Sequence, residues 1–164
     1  MLLFNTQNGI LVAGGYGVPV ESTCEFFDCG LNKWATVAPL STTRYYASAA
    51  THADTVYIFG GQKPSGYSHD VEQYDYAANR WTVLQARLTV ARCYASAGCV
   101  NGRIVIVGGY NGAFQSIVDC FNPVDKRLSN APSLSHPLAY GAAASVRVST
   151  SILERLRGSV GTKS

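Results

Sequence analysis

Apolar residues in this chain gather in short runs, and three of the runs end on a glycine pair: Ile10-Leu11-Val12-Ala13 before Gly14-Gly15, Val56-Tyr57-Ile58-Phe59 before Gly60-Gly61, and Ile104-Val105-Ile106-Val107 before Gly108-Gly109. Each run is too short for a helix and has the length of a strand. Because it is apolar without interruption, it predicts a strand covered on both faces. A first strand and a turn precede each run. They are Leu2 to Phe4 with Asn8-Gly9, Tyr46 to Thr51 with His52-Ala53-Asp54, and Cys93 to Val100 with the hairpin signal Asn101-Gly102. Third strands follow at Cys24 to Asp28, Val71 to Tyr76 and Ile117 to Asn122, and fourth strands lie near Trp34, Trp81 and Leu128. The polar stretch Gln62 to Ser68 reads as a loop. Four short strands per unit, repeated, is an all-β pattern.

The repetition has a fixed period. The glycine pairs stand 46 and 48 residues apart, and Trp34 and Trp81 stand 47 apart, with Leu128 a further 47 on. Phe27-Asp28, Tyr74-Asp75 and Phe121-Asn122 keep the same register. A period of this size marks a repeat architecture. It divides the chain into units at about 1–37, 44–84 and 92–130, with the first strand of a fourth at 142–148 and a tail over 149–164 that is disordered or one short helix. Glycine permits positive φ and close approach of another segment, so the pairs end the strands in sharp turns. The tryptophans and the aromatic residues before Asp or Asn supply large buried area beside them. The Asp or Asn itself suits a turn.

Arg44 and Arg92, the small-residue strand, the apolar run, Gly-Gly, aromatic-Asp and then Trp together resemble the kelch repeat, most faithfully from Arg44 to Trp81 and from Arg92 to Gly109. The third unit departs from that pattern at Leu128, at Asn122-Pro123 and at Leu138, where an Arg is expected. The resemblance implies a partial kelch-type β-propeller: three four-stranded antiparallel blades around a channel, plus the first strand of a fourth. Propellers have about four blades or more. Three readings therefore stay open: a piece of a longer propeller, two copies closing a six-bladed ring about a two-fold axis, or an open arc.

Composition narrows the partners. Charged residues make up 14% of the 164 residues, and the formal net charge is +3 with no basic block, so neither nucleic acid nor a membrane surface is an expected partner. Met1 to Phe4 lacks a basic flank and Asn5 to Gly9 interrupts it, unlike a signal peptide. Five cysteines without a Cys-x-x-Cys pair suggest reduced thiols and a cytoplasmic protein.

Catalytic chemistry is poorly supported by the residues. The resemblance admits an oxidase or a sugar epimerase as the alternative reading, because some kelch-type propellers are enzymes. A copper site needs converging imidazoles, whereas His52, His69 and His136 fall in separate turns or loops. No phosphate loop, nucleophile elbow or His-x-x-x-His appears. No catalytic residue, metal or cofactor is assigned. The expected function is binding of another protein or peptide. The resemblance places partners at the segment before each first strand and at the loop after Gly-Gly, which selects Arg44, Tyr45, Tyr46, Arg92 and Tyr94, with Tyr16 and Tyr110. Tyr and Arg dominate interface energies, although the two arginines also fit a role in tying blades together. The family's common roles, substrate recruitment for ubiquitin ligases and contact with actin, are both compatible; the first resides in proteins that also carry BTB and BACK domains, which these residues do not include.

Overall fold

A computed structural model describes residues 2–6, 9–17, 21–144 and 149–160. Three four-stranded antiparallel sheets follow one another along the chain. The first contains β1 (Leu2–Thr6), β2 (Gly9–Gly15), β3 (Glu21–Asp28) and β4 (Lys33–Val37), paired in that order. The second contains β5 (Ser48–His52) and β6 (Thr55–Phe59), then a small hairpin of β7 (Gln62–Lys63) and β8 (Gly66–Tyr67), then β9 (Asp70–Asp75) and β10 (Arg80–Arg87). The third contains β11 (Ser96–Val100), β12 (Arg103–Val107), β13 (Val118–Asn122) and β14 (Arg127–Ala131). A helix, α1 (Thr150–Val160), occupies much of the tail. Each sheet is a meander, so every strand is paired by a neighbour in sequence. The all-β propeller-blade architecture is the one the period predicts.

The first strands begin later than the residue pattern suggests, at Ser48 and Ser96. Tyr46 and Tyr94 have φ of 55° and 53°, a left-handed conformation that a strand cannot contain. His52 closes β5 instead of lying in the turn, and the stretch after Gly60-Gly61 forms the β7–β8 hairpin. Ala142 to Ala144 belong to no strand, and the rest of the expected fourth-unit strand, 145–148, lies outside the described residues.

Two apolar cores form between sheets. One joins the first two sheets through Leu11, Ala13 and Cys24 on one side and Val56, Ile58, Tyr74 and Trp81 on the other. The second joins Tyr57, Phe59 and Val71 to Ile104, Ile106 and Phe121. The second sheet is thus covered on both faces, which is why Val56 to Phe59 are apolar without a break and all buried. Trp81 is 6% exposed and donates its indole N–H to the Ala38 carbonyl of the preceding sheet at 3.1 Å. It packs across the sheet boundary and not beside its own glycines. Trp34, at the matching place of the first sheet, is 53% exposed, so its expected burial is not found.

The glycine pairs join one sheet to the next. Gly15, Gly61 and Gly109 donate their N–H groups to the carbonyls of Arg44, Arg92 and Leu138 at 3.3, 2.9 and 2.8 Å. These acceptors lie in the lead-in segment of the following unit. Gly60 has φ of 63°, and a Cβ built there would meet the Arg92 carbonyl at 2.4 Å; Gly108 meets the Leu138 carbonyl at the same distance. Gly60→Ala and Gly108→Ala should each cost about 2–4 kcal/mol, from strained backbone plus steric overlap. Gly98→Ala, in open space without positive φ, should stay within about 0.5 kcal/mol of the parent protein. Urea unfolding midpoints of the three variants check this ranking.

Candidate functional site

Arg44 and Arg92 enter from the lead-in segments and turn inward. Arg44 Nη1 donates to the Gly60 carbonyl at 2.9 Å, and its Nη2 meets Thr42 Oγ1 at 2.9 Å and pairs with Glu72 of β9. Arg92 Nε donates to the Gly108 carbonyl at 2.7 Å, and its Nη1 meets Asp119 of β13 at 2.8 Å and the Val90 carbonyl at 3.1 Å. The carboxylates are filled from a second side: Glu72 accepts from Ser41 N and Thr42 Oγ1, and Asp119 from Thr89 Oγ1. Both arginine side chains and both carboxylates have zero exposure. Burial lowers the Arg44 pKa, opposed by the charge and hydrogen bond of Glu72. Neither arginine can reach a partner. Their assignment to a binding rim is corrected: they hold the lead-in segment, the glycine turn and the third strand of a unit together.

The tyrosines behave otherwise. Tyr46, Tyr94 and Tyr140 all have left-handed φ, 55°, 53° and 61°. The strain is supported by a chain of backbone hydrogen bonds, Tyr94 N to Tyr46 O at 2.8 Å and Tyr140 N to Tyr94 O at 3.1 Å, which steps from unit to unit. Their rings follow one another at centroid distances of 4.3 and 4.1 Å. Tyr16 joins at the near end, 6.0 Å from Tyr46 and 5.2 Å from Tyr45. At the far end Phe114 lies 6.4 Å from Tyr140 and 5.7 Å from Tyr110, and Tyr67 lies 6.1 Å from Tyr110. The result is one connected aromatic rim. Tyr16 is 67% exposed, Tyr140 62% and Phe114 56%, while Tyr45, Tyr46, Tyr94 and Tyr110 are half-buried. The Tyr94 phenol is pushed upward, first by burial and then by its hydrogen bond with Tyr46, so it stays neutral at physiological pH.

Five of the seven sequence-selected residues, Tyr16, Tyr45, Tyr46, Tyr94 and Tyr110, therefore meet in one rim. Three members were missed. Tyr140 lies 46 residues after Tyr94, so extending the period would have found it; Phe114 lies 47 after Tyr67, and that repeated pair stands beyond the segments that were singled out. The turn residues act as anticipated: Asp28 Oδ1 accepts from Gly30 N at 2.8 Å and Asp75 Oδ1 from Ala78 N at 3.0 Å. Among the described residues no three His, Cys, Asp or Glu side chains gather where a metal could be held. All five cysteines are free thiols.

The model of the KLHDC2/KLHL20/DRC7 Kelch-repeats domain matches residues 1–152. The chain belongs to the kelch-repeat family. It is 24% identical over 136 residues to the Kelch repeat and BTB domain-containing protein F47D12.7 of Caenorhabditis elegans, covering 74% of this chain and 23% of that protein. Kelch-like protein 36 of Mus musculus is 28% identical over 142 residues, covering 79% of this chain and 23% of the relative. Alpha-scruin of Limulus polyphemus is 25% identical over 151 residues, covering 82% and 16%. The kelch chain thus spans less than a quarter of the length of these relatives. Among solved structures, the kelch propeller YjhT shares the fold at a TM-score of 0.72 and 17% identity, with 84% of this chain and 52% of that one covered.

Two outcomes test how the kelch blades are held. Arg92→Met leaves Asp119 buried without its cation and should cost about 3–5 kcal/mol, whereas Arg92→Met with Asp119→Leu should recover most of that loss; urea unfolding of both measures it. Burial pushes the Cys24 thiol from 9.0 up to about 11. The unfolded chain then loses this proton first, so the thiol's contribution is full below pH 9 and declines as pH rises from 9 towards 11. Cys24→Ala should flatten that part of a stability-against-pH curve.

Proposed function

We propose that this kelch segment is a non-catalytic protein-interaction module whose aromatic rim receives a protein or peptide. One observation carries the reading: eight aromatic rings, Tyr16, Tyr45, Tyr46, Tyr94, Tyr140, Phe114, Tyr110 and Tyr67, form a connected surface, and the backbone of the central three, Tyr46, Tyr94 and Tyr140, is held in left-handed conformations by inter-unit hydrogen bonds. Rigid aromatic groups offer large contact area with little side-chain entropy to lose, and their hydroxyls can pair with backbone groups of an extended segment. The kinship with Kelch-like proteins and scruin supports a scaffold or recruitment role. Within that role, recruitment of a ligase substrate and attachment to the actin cytoskeleton are the two proposals. Five free thiols support action in the cytoplasm. No helix among the described residues is long and apolar enough to cross a membrane. Ring completion by further blades belongs to the same reading.

Tyr16→Ala combined with Tyr110→Ala should leave the thermal midpoint within a few degrees of the parent value, because Tyr16 is exposed and Tyr110 is half-buried at the rim. The same variant should lose at least tenfold in affinity for a partner identified by photo-crosslinking from the rim. Unfolding of the variant, or unchanged affinity, would reject the rim as the binding surface.

A further inference from the structure

Among the described residues no blade covers the outer face of the first blade, and the repeat shows what a covering blade would contain. Ile10, Val12, Glu25, Phe27 and Trp34 lie on its free face. Their equivalents in the second blade are Val56, Ile58, Glu72, Tyr74 and Trp81, all buried. The aromatic pairs superpose in kind: Phe27 and Trp34 are 5.1 Å apart, and Tyr74 and Trp81 are 5.0 Å apart. What differs is the cover. The second blade packs against the first, and a lead-in segment Ser41–Arg44 brings a hydroxyl and a guanidinium onto Glu72. The third blade repeats the arrangement, with Thr89 and Arg92 on Asp119. Glu25 is exposed, and among the described residues no cation pairs with it.

We propose that this face docks a kelch-type blade whose exit segment carries a Ser or Thr two or three residues before an Arg, as Thr42 precedes Arg44 and Thr89 precedes Arg92, and that Glu25 is the residue that selects it. The arginine would place its guanidinium on Glu25 as Arg44 does on Glu72. Without a cation the carboxylate would be buried unpaired, which is strongly unfavourable. That requirement rejects a second copy of this chain. The third blade offers the right shape, because Val105, Val107 and Val118 repeat the positions of Leu11, Ala13 and Cys24, the apolar residues that share one core with Trp81. Its exit segment fails on charge, because Leu138 stands where Arg44 and Arg92 stand, as the matching glycine hydrogen bonds to Arg44, Arg92 and Leu138 establish. The selection is by an unpaired charge against the wrong partner. It does not depend on what binds the aromatic rim.

Substitutions that repair the mismatch test this directly. Leu138→Arg gives the chain's own exit segment the missing cation, and Glu25→Leu removes the charge that rejects Leu138. Because the match covers 52% of the YjhT chain, about half of a single-chain fold of this kind, either variant should form a closed dimer of about twice 17.5 kDa by size-exclusion chromatography with light scattering. The chain has two tryptophans. Acrylamide should quench the exposed Trp34 in the unmodified protein and lose access to it in the dimers. Leu138→Arg with Glu25→Gln should associate at least tenfold more weakly than Leu138→Arg alone. The proposal is overturned if the unmodified chain dimerises with Trp34 protected, if either folded single variant stays monomeric, or if Glu25→Gln leaves the Leu138→Arg dimer unchanged. Circular dichroism establishes folding, and Glu25→Leu, on an exposed site, carries the test should Leu138→Arg unfold.

Discussion

The structure depends on a close approach of backbone to backbone. At the end of each second strand the chain turns through two glycines, and the lead-in segment of the following blade lies directly against them. At Gly60 and Gly108 a carbonyl sits where a Cβ would be, and the neighbouring Gly61 and Gly109 N–H groups donate to those same carbonyls. Any side chain at these positions would separate the blades. The blade faces could then no longer meet, because interiors are packed to crystal-like density and tolerate few voids. The glycine pair is therefore an inter-blade joint and not merely a strand terminator.

Around that joint the buried arginines act as a second fastening. Each guanidinium reads the carbonyl of its own blade's first glycine and the carboxylate of the third strand, with a hydroxyl from the lead-in segment closing the remaining lone pair. Burying such a pair is tolerable because all partners are present together. It also makes the joint directional, since the arginine arrives with the chain from the preceding blade. On the far side of the same lead-in segments the backbone is forced into left-handed tyrosines, and the rings are carried outward into a continuous rim. One segment thus serves the core with its arginine and the surface with its tyrosine, two residues apart.

Trp34 and Trp81 illustrate why a repeat cannot be read one unit at a time. They hold the same place in the period, each beside an aromatic ring about 5 Å away. One is buried and hydrogen-bonded to the preceding blade, and the other is half in solvent. The difference lies in the neighbour and not in the residue. Glu25 and Glu72 differ for the same reason.

The sequence by itself determined the repeat, its period and the order of four strands per unit, because periodicity and glycine placement are local consequences of side-chain geometry; it misplaced the starts of the first strands and read the β7–β8 hairpin as a loop. It also brought five of the rim tyrosines to notice by their place beside Arg and Gly-Gly. It could not separate Arg44 and Arg92 from those tyrosines, because residue type alone does not say which way a side chain turns. The tertiary structure decided that matter. The arginines turn inward because a carboxylate 27 or 28 residues further on awaits them. Tyr46 and Tyr94 remain at the surface because their left-handed backbone is pinned to the next blade. Pairings over such separations are set by packing between sheets, and no local pattern encodes them.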